Sequence, residues 1–123
     1  MKYYEICFSP TGGTQKVADA VTKGLAQSAV KIDLTDAKGN FDGISLTKED
    51  VALIAVPSYS GRVPDTAAAR IARLQGHGAS AILICVYGNR AYEDTLVELQ
   101  DIAHQAGFKV VAAVAAGAGH SIA

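Results

Sequence analysis

Two unbroken apolar runs constrain this chain more than anything else in it. They are Val51–Pro57 (VALIAVP) and residues 81–87 (AILICVY), separated by helix-patterned sequence. A strand with water on one side alternates apolar and polar residues, whereas a run apolar throughout is buried on both faces. The connection between the two is long and carries a helix. Such a crossover returns the chain to the same end of the sheet, so the strands run parallel. Parallel sheets need helices on both faces, and the chain is therefore α/β.

The rest of the sequence fits that frame. Residues 2–8 (KYYEICF) read as a strand stopped at Ser9-Pro10. Residues 14–27 read as an amphipathic helix, with Val17, Ala20, Val21, Gly24 and Leu25 facing inward. Residues 30–34 form a short strand. Residues 35–48, with Gly39, Asn40, Asp42 and Gly43, read as loop with at most one turn near 46–49. A helix over 65–75 follows Pro64, with Asp65 as its cap, Ala68, Ile71 and Ala72 inward, and Gly76 and Gly78 at its end. Residues 91–106 form a helix with Leu96, Leu99, Ile102 and Ala103 inward, stopped by Gly107; residues 108–115 form the last strand. The order β-α-β-loop-β-α-β-α-β describes one doubly wound domain over residues 1–123.

Composition narrows the function. Half the residues are apolar and 19% are charged, enough for one packed core. Eleven Lys and Arg stand against twelve Asp and Glu, with no basic run, which excludes a nucleic-acid partner. No apolar stretch reaches the roughly 18 residues of a membrane span. Residues 1–10 lack a secretory pattern, and a cytoplasmic setting is expected. Cys7 and Cys85 lie within strand runs, far apart, as small buried residues; they cannot make a disulfide scaffold or a cysteine metal site.

In a doubly wound sheet, ligands bind beyond the carboxyl ends of the strands. Three loops lie there: 9–14, 58–64 and 88–92. The first reads Ser9-Pro10-Thr11-Gly12-Gly13-Thr14. Two glycines admit close approach of an anion, three hydroxyls offer donors, and a helix N-terminus adds free amides. There is no lysine, so this is not a nucleoside-triphosphate loop, and the Gly-x-Gly-x-x-Gly spacing of dinucleotide sites is absent. Hydroxyls and amides without a cation suit one phosphate monoester. An ordinary Ser/Thr/Gly helix cap is the competing explanation.

This loop resembles the flavodoxin phosphate loop, in which a Ser/Thr-x-Thr-Gly-x-Thr segment holds the phosphate of FMN. Pro57-Ser58-Tyr59-Ser60-Gly61-Arg62-Val63-Pro64 and Tyr87-Gly88-Asn89-Arg90-Ala91-Tyr92 are similar to the two flavin loops of flavodoxin domains fused to ferredoxin-type modules. The resemblance covers most of the chain. It implies a five-stranded parallel sheet in the order 2-1-3-4-5 and one bound FMN. Ser9, Thr11, Gly12, Gly13 and Thr14 would hold the phosphate. Tyr59 would stack on the isoalloxazine ring, and the Ser60-Gly61 peptide would turn toward the flavin N5, with Ser58 in the same loop. Arg62 would face the N1–C2=O edge or remain a solvated loop residue. Gly88 and Asn89 would meet the pyrimidine edge, with Tyr92 stacking on the other face or Tyr87 lining the pocket; Asn89 would also suit a helix cap.

Three features depart from the family. A flavodoxin domain ends in a helix after its last strand, and this chain stops eight residues beyond Ala115. A fragment of a longer protein, a homodimer that covers the open face and a natural minimal variant are the three readings. No Cys-rich iron–sulfur segment is present, so a ferredoxin-type redox partner would be separate or missing from this chain. The net charge of −1 also lies far from the acidity of stand-alone flavodoxins. The expected function is electron transfer through FMN. An FMN-dependent reductase taking hydride from NAD(P)H to a quinone-type acceptor is the alternative, and a flavin-free scaffold the third. A phospho-receiver is excluded, because Phe8-Ser9 and Val56-Pro57 stand where its aspartates belong. Two residues stay unexplained. Glu5 falls on a central strand and must be paired, partly exposed or facing a gap. His120 follows the last strand at the binding end, in a 117–121 segment placed to close over the flavin, whereas His77 and His104 read as surface residues.

Overall fold

The computed structural model describes residues 1–88 and 93–117. Its strands are β1 (Tyr3–Cys7), β2 (Val30–Asp33), β3 (Val51–Pro57), β4 (Ser80–Tyr87) and β5 (Lys109–Gly117). They form one parallel sheet in the order β2-β1-β3-β4-β5. The helices are α1 (Gly13–Leu25), α2 (Asp65–Ile71) and α3 (Glu93–Gln105). Winding reverses at the centre: α1 carries the chain from β1 out to β2, and the next connection returns past β1 to β3. The crevice between the ends of β1 and β3 is the switch point of the sheet.

Each central strand feeds two cores, as its period of two requires. Leu53 and Ala55 of β3 pack with Tyr3, Cys7, Ile84 and Val86 beneath Val17 and Ala18 of α1. On the other face Ile54 and Val56 join Leu83, Ala67 and Ile71 of α2, and Leu99 and Ala103 of α3.

Three details of the sequence reading are corrected. The buried stripe of α1 is Thr14, Val17, Ala18 and Thr22, while Ala20, Gly24 and Leu25 are exposed. Thr22 is inward because its hydroxyl has a partner there, donating to the Tyr3 hydroxyl at 3.2 Å. The second helix ends at Ile71 rather than 75, with Pro64 and not Asp65 at its N-cap. Its last residues tighten into i→i+3 bonds, and Gln75 is drawn off to pair with Ser45 between the Ile44 carbonyl and the Leu46 amide. On α2, Ala67, Ile71 and the following Leu74 are buried, and Ala72 is exposed. The long connection holds a 3-10 turn at Phe41–Gly43 and donates buried Phe41 and Leu46 to the core, with Arg70 and Arg73 stacked over the Phe41 ring.

One face is only partly covered. Val114 stands in register with Ile84, on the α1 side, and is 50% exposed. Val111 occupies a bulge in the β4–β5 ladder and is 54% exposed. Among the described residues no helix covers this part of β5.

Candidate functional site

Parallel pairing brings the ends of β1, β3 and β4 to the same edge of the sheet, and the loops after β1 and β3 are neighbours. Hydrogen bonds beyond the strand ends hold them together: Phe8 N–H donates to the Ala55 carbonyl at 3.0 Å, and Ser58 N–H to the Val86 carbonyl at 2.8 Å.

The first loop leads into α1 through Gly12, whose φ of +91° favours glycine. Among the described residues, a Cβ at Gly12 or Gly13 would meet nothing within 4 Å. Ser9 ties the loop down: its amide donates to the Thr35 hydroxyl at 2.8 Å, and its own Oγ accepts the Gln15 amide at 2.9 Å. That leaves the amides of Thr11, Gly12, Gly13 and Thr14 without an acceptor among the described residues. Four unspent N–H groups at the positive end of a thirteen-residue helix form an anion cradle. Thr11 is exposed above it, and Thr14 is buried on the α1 stripe.

The second loop is a hairpin of two central residues. Tyr59 and Arg62 exchange backbone bonds of 2.9 and 3.0 Å around Ser60 and Gly61, whose φ values are +52° and +78°. Two positive φ values define the primed turn that suits such a hairpin. The turn lifts Tyr59 to 47% exposure. Arg62 is committed to α3: Nε and Nη2 bind the Glu98 carboxylate at 3.1 and 3.0 Å, and Glu98 Oε1 also accepts the Val63 amide at 2.8 Å. The Arg62 guanidinium, aided by that amide, holds the Glu98 carboxyl below the usual glutamate range. The Ser58 hydroxyl lies 2.7 Å from that of Thr95.

Thr95 and Glu98 escaped the sequence reading. Thr95 left a signal, as a polar residue on the inward stripe of Leu99 and Ala103. Glu98 left none.

In the third loop, Tyr87 is half-buried and Gly88 exposed, with nothing among the described residues within 4 Å of where its Cβ would stand. Asn89 and Tyr92 lie outside the described residues, as does His120. His77 and His104 are exposed; His77 Nδ1 lies 3.0 Å from both the Ser45 hydroxyl and the Leu46 carbonyl. Cys7 and Cys85 are buried and free, and burial pushes their thiols up to about 12 and about 11.

Glu5 is buried, 1% exposed, beneath α1. Its Oε2 accepts Gln15 Nε2 at 2.7 Å and lies 4.0 Å from Lys31 Nζ. Its Oε1 has no partner among the described residues.

The fold recurs in solved structures. A flavoprotein from Lactobacillus acidophilus NCFM, in complex with FMN, superposes with a TM-score of 0.72 at 14% identity, over 93% of this chain and 92% of that one. A flavodoxin from Streptococcus pneumonia TIGR4 gives 0.68 at 15%, over 98% and 88%. The fold is that of a flavodoxin. An NADH:FMN oxidoreductase in its apo form gives 0.73 at 20%, over 95% of this chain and 76% of that one. No protein-family model and no curated protein matches the sequence. The sheet order is the expected one, and the loops after β1 and β3 lie at its switch point.

Proposed function

We propose that this chain binds one FMN non-covalently and serves as an electron carrier. The carrying observation is the set of four unspent amides at residues 11–14, opening α1 beside the end of β3. The residues present fit FMN. The space that the described residues leave over Gly12 and Gly13 admits a phosphate, with the Thr11 hydroxyl nearby in sequence. Tyr59, already lifted into solvent, offers a ring face that excludes water from one side of a flavin. Gly61 allows the Ser60-Gly61 peptide to reverse at low cost. Arg62 reaches a flavin edge only by leaving Glu98. When bound, FMN supplies the redox chemistry; the chain binds, orients and desolvates it. No helix among the described residues is long and apolar enough to cross a membrane.

The likeness to an NADH:FMN oxidoreductase favours a second reading, in which the loaded chain itself takes hydride from NAD(P)H. One experiment separates the two. The purified chain is loaded with FMN, freed of unbound flavin, reduced photochemically and mixed with an oxidised electron-transfer protein. The carrier reading expects rapid oxidation by that partner and no saturable NAD(P)H oxidation. Saturable NAD(P)H turnover establishes the reductase instead, and a chain that retains no flavin is a scaffold. A redox partner protein and self-association through the open β5 face belong to the same proposal.

A further inference from the structure

Among the described residues, the buried carboxyl of Glu5 touches none of the three loops directly, yet it is linked to the anion cradle through Gln15. Gln15 makes the connection. Its amide donates to Ser9 Oγ at 2.9 Å, and its Nε2 donates to Glu5 Oε2 at 2.7 Å and Asp19 Oδ1 at 2.8 Å. Lys31 Nζ reaches Asp19 at 3.2 Å from the solvent side. A buried ionised carboxylate with an orphaned oxygen, next to a second carboxylate, is costly; one proton on the pair removes that cost. Resting on the FMN reading, we propose that Glu5 is a positioning residue: its protonated carboxyl seats the Gln15 side chain, and Gln15 thereby fixes the cradle that receives the phosphate.

The charged groups described around Glu5 pull both ways: burial and Asp19 favour its proton, and Lys31, 4.0 Å away, opposes it. Asp19 and Lys23 come from α1, Lys31 from β2, and Tyr3 and Cys7 from β1 itself; β3 presents only Leu53 in register. Burial, then Asp19, pushes the Glu5 carboxyl up, while the Glu5 carboxyl, then Gln15 and Lys31, holds Asp19 down. A surface cavity of about 250 Å³, lined by Glu5, Asp19, Thr22 and Lys31 among others, gives water a route to the pair once Glu5 ionises.

The test is the ratio of FMN to riboflavin affinity, measured from the ordinary glutamate range, about pH 4.3, up to about pH 9. Only FMN has a phosphate, so the ratio isolates the cradle. The phosphate's own second ionisation affects every variant alike. In the wild type the ratio falls roughly three- to tenfold toward alkaline pH, the scale of one misplaced hydrogen bond. Glu5→Gln, which mimics the protonated form, abolishes that fall. Gln15→Leu lowers the ratio at every pH and flattens it; it serves alone if Glu5→Gln does not fold. A wild-type profile shared by Glu5→Gln, or a pH-dependent fall retained in Gln15→Leu, overturns the inference and leaves the FMN reading intact. Failure of the wild type to bind either flavin overturns both. In the flavin-free chain the Gln15 amide should exchange faster at alkaline pH in the wild type than in Glu5→Gln, after correction for intrinsic exchange; equal rates also overturn it.

Discussion

At the residue scale, chemistry on this sheet is decided by which groups are already spent. Arg62 is held by Glu98, whereas Tyr59 beside it is half in solvent. Tyr59→Ala should therefore weaken FMN by about 1–3 kcal/mol through lost stacking and burial, read as a dissociation constant. An unchanged constant removes Tyr59 from the site. Glu5 gives a second prediction. Its folded carboxyl lies above the ordinary value, so the folded state keeps the proton longer, and stability falls as pH rises from the glutamate range through the raised value. Glu5→Gln lacks that fall. Its denaturation midpoint should gain on the wild type as pH increases, and parallel curves contradict the assignment. The sequence showed Glu5 as an anomaly and Tyr59 as a candidate. The Arg62–Glu98 pair was illegible because it joins two elements 36 positions apart, with no local pattern to mark it.

At the element scale, the strands were legible because a strand buried on both faces leaves a continuous apolar run that little else imitates. Helix faces were less so. Thr14 and Thr22 read as polar, yet both sit on the buried stripe of α1, Thr22 with its hydroxyl satisfied by Tyr3. The early end of α2 was hidden for a similar reason: Gln75 is taken by the long connection, a tertiary bond with no trace in helical periodicity. The start of α1 carries a prediction. Gly12 has a positive φ, so Gly12→Ala meets no clash among the described residues and still costs about 1–2 kcal/mol in backbone strain. Chemical denaturation should show that loss, and FMN binding should weaken with it. Gly13→Ala, at a helical position with equal space, should be tolerated in stability, and a large loss there would refute the picture of an open cradle.

At the scale of the whole molecule, reversal of winding between β1 and β3 sets the loops after these two strands at one crevice, and that placement followed from element order alone. Side-chain commitments across the crevice did not. The same fold sets an acid limit. Asp50 is held low by backbone amides of Thr47 and Lys2, and Glu98 by Arg62 and the Val63 amide. Each adds stability above the ordinary carboxylate range that is lost as pH falls through the lowered value. Acid unfolding should thus begin below that range, and Glu98→Gln should weaken the dependence; an unaltered acid limb contradicts the role given to Glu98. The most direct test of the central claim is parallel titration of the purified chain with FMN and riboflavin, followed by flavin fluorescence and visible absorbance. FMN should bind saturably at one per chain, riboflavin clearly more weakly, and the gap should narrow in Thr11→Ala. Equal affinity for both flavins, or binding of neither, contradicts it.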